Sequence, residues 1–266
     1  PVYGFTSLQG EEGSPGLLLA DGSVQPYTFT NGSLTIAYDT PEILAALNQL
    51  VSLAADQTIF PVYDLGSQSL HQDNWNRRQQ LIATGQVALW TTIAGLEEEV
   101  SFDYLVLPLP QGIANFSPPI STGYYISQRM ENPSACWAWL TFLAGQETAI
   151  IGVPARDSIA QSSAWKNSVG SREAAVYTTS LTRQLNNALT LEAIQVTIPL
   201  QSWWNDLLAA AYAGAGVAAL LPEVQRKGEI YAACLNSAAA KDAETVTNCA
   251  READPAYKTF QELAQD

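Results

Sequence analysis

Two groups of residues in this chain have an evident capacity for acid–base work. They are its single histidine, His71, and the run Glu97-Glu98-Glu99. His71 lies in Ser69-Leu70-His71-Gln72-Asp73, where hydroxyl, imidazole and carboxylate could serve acyl transfer. No Gly-x-Ser-x-Gly elbow accompanies them, so the segment reads as a polar surface loop. Two carboxylates suffice for glycoside hydrolysis, but adjacent glutamates cannot all face one ligand, and a solvated turn is the simpler reading. No Cys or His pair has metal-ligand spacing, and neither a phosphate-cradling loop nor a dinucleotide fingerprint is present. The expectation is a protein without catalytic residues, metal or cofactor.

The aromatic residues offer different chemistry. Seven tryptophans are many for 266 residues. Trp90 ends an apolar run and leads into Thr91-Thr92, at the carboxyl end of an expected strand, where ligands bind in open α/β sheets. Trp203-Trp204 have Gln201, Ser202 and Asn205 beside them. A flat ring packs on the C–H face of a sugar while amides and hydroxyls meet its hydroxyls. Adjacent helical residues point in different directions, so one ring of that pair can be core while the other faces a cleft. Trp137 and Trp139, inside an apolar helix, are expected in the core.

These residues need elements to hold them. Residues 1–38 read as strand and loop, ending in the alternation Ser33-Leu34-Thr35-Ile36-Ala37-Tyr38. Thr40-Pro41-Glu42 is a helix start, and Ile43, Leu44, Leu47, Leu50 and Val51 repeat at helical spacing. A second helix is expected over about 75–83, stopped by Gly85. Gln86-Val87-Ala88-Leu89-Trp90 and Phe102-Asp103-Tyr104-Leu105-Val106-Leu107 read as buried strands. Asn132-Pro133 opens a helix over 136–143. Helices follow over about 171–189, from Trp203 to Ala213, and from Val217 to Leu235 with a break at Pro222. This mixture indicates an α/β architecture.

Composition narrows the class. Apolar residues make up 47%, charged ones 14%, and the formal charge is −14. Such an acidic chain is a poor match for nucleic acid or an anionic membrane, which need clustered Lys and Arg. The longest apolar stretch, 207–221, is interrupted by Gly214 and Gly216 and is too short to span a membrane. The sequence starts at Pro1 and carries no signal peptide, so it reads as trimmed, with any export signal upstream. Of the three cysteines, Cys234 and Cys249 flank a mostly polar stretch that a disulfide could close, as in an oxidising compartment. The alternative is three unpaired thiols, and Cys136 reads as a buried, inert one.

Several segments, in order, resemble the extracellular solute-binding proteins of carbohydrate ABC importers, of the maltose and multiple-sugar type. Leu17-Leu18-Leu19-Ala20-Asp21-Gly22 is similar to the family's strand with an Asp-Gly turn, and Asp39-Thr40-Pro41-Glu42 with Ala46-Leu47 to its next helix. Leu81-Ile82-Ala83-Thr84-Gly85-Gln86-Val87-Ala88-Leu89 resembles a helix-to-strand step, with Leu89 in place of Met. Tyr104-Leu105-Val106-Leu107-Pro108-Leu109-Pro110-Gln111-Gly112 resembles the strand entering the hinge. The longest likeness spans Thr122-Gly123-Tyr124-Tyr125-Ile126-Ser127, then Glu131-Asn132-Pro133-Ser134-Ala135-Cys136-Trp137-Ala138-Trp139-Leu140-Thr141-Phe142-Leu143, and Val153-Pro154-Ala155-Arg156.

The resemblance implies a two-lobe, periplasmic-binding-protein-like α/β fold, N-terminally truncated, with most of the first lobe missing from this chain. Residues 1–110 and 158–266 would form the second lobe, and 111–157 would cross back to the first. It implies ligand-binding positions at Glu12, Trp90, Gly123, Tyr124, Trp203 and Trp204, holding a mono- or oligosaccharide. It further implies a monomer that delivers sugar to membrane permease subunits. The protein would be extracellular or periplasmic, anchored through a missing N-terminal lipid or signal segment. A sensor or receptor ectodomain and a carbohydrate-active enzyme are the rival readings, and a peptide, polyamine or iron complex is a rival ligand.

Overall fold

The computed structural model describes residues 2–6, 25–61, 68–92, 100–108, 126–127, 129–146, 152–185, 191–259 and 262. The chain forms two compact units, one of Pro1–Thr91, Pro110–Ser117 and Leu189–Asp266, the other of Thr92–Leu109 and Pro118–Ala188. Residues 158–188 belong to the second unit, because Trp165 and Tyr177 bury against Val106, Val153 and Val169 there.

In the first unit, strand β1 (Tyr3–Thr6) is followed by the hairpin of β2 (Tyr27–Thr30) and β3 (Ser33–Ile36). Thr30 pairs with Ser33 across Asn31-Gly32, both at positive φ (52° and 75°). A two-residue type I′ turn demands this, and Asn-Gly provides it at little strain. Helix α1 (Pro41–Ala55) starts as the sequence dictates, with the Thr40 side chain accepting from the Ile43 N–H and proline in the first turn. It ends with Gln57 at φ 57°. The Gln57 N–H donates to the Ala54 carbonyl and the Thr58 N–H to that of Leu53, a Schellman stop built on a non-glycine residue.

Strand β4 (Ile59–Phe60), helix α2 (Gln68–Ala83) and strand β5 (Val87–Trp90) complete this part. Helix α2 begins seven residues earlier than the expected 75, so His71 lies on a helical backbone and not in a loop. It closes with the same stop on Gly85, at φ 66°. The three parallel strands lie in the order β4-β1-β5. Strand β5 is less buried than expected, with Leu89 exposed.

In the second unit, α3 (Pro133–Leu143) is capped by the Asn132 side chain, which accepts from the Ala135 N–H. Contrary to expectation, Trp137 and Trp139 are 67% and 58% exposed. No residue of α3 is buried, and Trp139 stacks on Phe142 of its own helix. Residues 102–107 do not form the expected strand. They have no strand partner among the described residues, and Phe102, Tyr104, Leu105 and Leu107 are exposed. Three helices follow, α4 (Asp157–Ala160), α5 (Ser163–Val169) and α6 (Ser171–Leu185). Trp165 of α5 is fully buried against Ala174 and Tyr177 of α6.

The first unit resumes with α7 (Leu191–Tyr212), α8 (Val217–Ser237) and α9 (Ala243–Ala253). The expected break at Pro222 does not occur, and α7 begins at Leu191 and not at the expected Trp203, so both helices run through a proline, Pro199 in α7 and Pro222 in α8. Proline removes one backbone donor and crowds the preceding turn. Beside Pro199, the Val196 carbonyl accepts the Tyr231 hydroxyl at 2.8 Å and the Leu200 carbonyl accepts that of Tyr38 at 3.3 Å.

Helix α8 is central to the core, packing against β3, α1, α7 and α9. Its Asn236 side chain both donates to and accepts from the Leu34 backbone at 2.9 Å, as a neighbouring strand would. Gly228 lets Ile36 sit against the helix, because a Cβ there would meet Ile36 Cγ2 at 2.8 Å. Cys234 and Cys249 form a disulfide between α8 and α9, with Cα atoms 5.6 Å apart, while Cys136 is a free thiol. No helix among the described residues is long and apolar enough to cross a membrane.

Candidate functional site

The order β4-β1-β5 reverses at β1, which pairs with β4 on one side and β5 on the other. In an open α/β sheet this reversal lies where the chain leaves adjacent strands in opposite directions, opening a crevice beyond their carboxyl ends. Register sets Phe60, Thr6 and Trp90 in a row at those ends. Phe60 and Trp90 are half-buried and Thr6 is fully buried. Thr6 Oγ1 donates to the Phe60 carbonyl at 2.9 Å, tying β1 to the end of β4. On the other side the Thr91 N–H donates to the Thr6 carbonyl at 3.2 Å, extending the ladder one residue past β5.

A residue the sequence reading passed over completes this edge. Arg78 of α2 is 0% exposed, and its Nη2 donates to the Thr91 carbonyl at 2.6 Å. Its guanidinium carbon lies 5.0 Å from the centre of the Trp75 ring, one turn earlier on the same helix. The signal was available in its spacing. Arg78 stands three and four residues before Leu81 and Ile82, both fully buried, and so shares their inward stripe.

The remaining expected positions divide in two. Glu12, Gly123 and Tyr124 lie outside the described residues. Trp203 and Trp204, expected to present one ring to a cleft, are 2% and 1% exposed and both belong to the helical core. They do point apart, but each direction is filled. Trp203 meets Tyr231 and Tyr257 edge-on, and its Nε1 donates to Asp254 at 3.0 Å. Trp204 stacks on Tyr38 at 5.5 Å, and its indole N–H has no hydrogen-bond partner among the described residues.

Asp254 also accepts from Lys227 Nζ at 2.7 Å. Burial pushes its carboxyl upward, yet the Lys227 ammonium, the Ala256 N–H and the Trp203 indole together hold it below the usual carboxylate range. Trp203 borders a hollow of 180 Å³ between α7 and α8, whose other walls include Leu207, Leu220, Val224 and Glu223. It is small for a ligand pocket. Among the described residues no cluster of three or more His, Cys, Asp or Glu could hold a metal ion.

The arrangement at the sheet edge suits noncovalent capture. It offers two aromatic rings, and a buried hydroxyl and guanidinium that fix backbone behind them. No family model matches the chain, and no curated protein matches it significantly.

Proposed function

We propose that this chain is the solute-binding component of a carbohydrate ABC importer, with the α/β, two-lobe, periplasmic-binding-protein-like fold that its sequence resembles. It captures a mono- or oligosaccharide reversibly and hands it to membrane permease subunits, breaking no bond. The observation that carries this reading is the row Phe60–Thr6–Trp90 at the carboxyl ends of a parallel sheet whose strand order reverses at β1. A half-buried indole there supplies the flat apolar surface that a sugar ring packs on. The Cys234–Cys249 disulfide supports an extracellular or periplasmic location, where disulfides persist. Trp203 and Trp204 are withdrawn from the candidate ligand contacts, because their rings are enclosed.

The test is a thermal-shift screen of the full chain against neutral mono- and oligosaccharides, with each mixture then analysed for products. One class of sugar should raise the melting temperature and be recovered intact. Saturating ligand, at about one hundred times Kd, stabilises by about 2.7 kcal/mol. Turnover of a glycan would replace this reading with an enzyme, and a shift from peptides or polyamines alone would replace the ligand class.

A further inference from the structure

We infer that Arg78 is a positioning residue for Trp90, acting through the Thr91 backbone. The last bond of the β1–β5 ladder is made by the Thr91 N–H, and the carbonyl of that residue is the first acceptor beyond the sheet. A buried carbonyl needs a donor. The donor here is a guanidinium, whose charge-assisted bond is about twice as strong as a neutral one. At 2.6 Å, from a side chain with no exposure, the bond fixes the peptide that follows Trp90. The Arg78 side chain is itself held, packed over Trp75 on one side of the inward stripe of α2.

Trp90 is therefore clamped at both flanks. Upstream it is paired with Thr6 in the sheet, and downstream Thr91 is bonded to both β1 and α2. A flat ring contributes to recognition only when its plane is set before ligand arrives, since ordering it on binding costs affinity. Arg78 supplies that order without being a ligand contact. Its value for ligand capture rests on the function proposed above, but its hold on Trp90 does not.

The test uses the full chain labelled with 5-fluorotryptophan, with resonances assigned by single Trp→Phe substitutions. Arg78→Met keeps a long apolar stem and removes every donor, whereas Arg78→Lys keeps the charge and a single-point donor. We expect Arg78→Met to shift or broaden the Trp90 resonance while those of Trp203, Trp204 and Trp165 stay in place. Arg78→Lys should lie between it and the unaltered protein. Affinity for whichever sugar raises the melting temperature should fall about tenfold in Arg78→Met, the equivalent of one charge-assisted hydrogen bond.

A Trp90 resonance identical in folded Arg78→Met and the unaltered protein would overturn the inference, whether or not any sugar binds. Should Arg78→Met not fold, an unchanged Trp90 resonance in Arg78→Lys would overturn it. If neither folds, the NMR coupling across the hydrogen bond between the Arg78 guanidinium and the Thr91 carbonyl decides, and its absence in the unaltered protein would overturn the inference. Failure of every sugar to bind would count against the proposed function and leave the fluorine result to judge Arg78.

Discussion

Trp203 and Trp204 are neighbours of identical type that do different things. Trp203 donates to Asp254, which is also paired with Lys227, whereas the buried indole N–H of Trp204 has no partner among the described residues. Replacing either ring by phenylalanine removes similar volume, but only Trp203→Phe takes a donor from a partly buried carboxylate. Chemical denaturation should therefore show Trp203→Phe to be less stable than Trp204→Phe by about 1–3 kcal/mol. The same carboxylate sets an acid limit. Because the folded Asp254 pKa lies below its ordinary value, its contribution is complete at neutral pH and is lost as pH falls through the folded pKa. Asp254→Asn should flatten the acid limb of the stability–pH curve below about pH 4. Burial raises the Tyr231 hydroxyl pKa, with Tyr257 a lesser contributor. That contribution is complete below the ordinary tyrosine pKa and is lost as pH rises above about 10.

At the scale of elements, helix starts were legible in the sequence because they depend on one or two residues. Thr40-Pro41 and Asn132-Pro133 do in the structure what their chemistry requires. The Asn31-Gly32 hairpin was equally legible but was read as undifferentiated strand and loop. Pro222 misled, because the packing that carries α8 through it comes from β3 and α1, far away in sequence. The burial of Trp203 and Trp204 was hidden for a related reason. Adjacency on a helix fixes that they diverge, but only the tertiary neighbours decide whether either direction is open. The exposed α3 fails in the opposite sense, since apolar composition alone said core.

Two substitutions test the element-level account. Gln57→Gly should stabilise the protein by about 0.5–1 kcal/mol in denaturant melts, because glycine tolerates φ 57° better than glutamine does, less its greater unfolded-state entropy. Gly228→Ala should destabilise by about 1–3 kcal/mol through collision with Ile36, despite alanine's better helix propensity. Adding Ile36→Ala should suppress that effect in a double-mutant cycle.

For the molecule as a whole, the disulfide links two helices of the C-terminal core. Cys234→Ala with Cys249→Ala should lower stability by about 3 kcal/mol in the chain-entropy view of a loop this long. The first unit holds a three-stranded parallel sheet, in the order β4-β1-β5, and a two-stranded hairpin. The packing of Val106 against the Trp165–Tyr177 cluster, about sixty residues later, was not legible, because no local pattern announces such a contact.

Under the proposed function, recognition occurs at the carboxyl edge of the parallel sheet and not in the tryptophan-rich helical core. Calorimetric titration of the best-stabilising sugar into Trp90→Ala and Trp203→Phe tests it most directly. Trp90→Ala should lose about 1–3 kcal/mol of binding, the range for stacking of nucleic-acid bases on aromatic side chains, while folded Trp203→Phe keeps its affinity. Unaltered affinity in Trp90→Ala, with loss in Trp203→Phe, would contradict it.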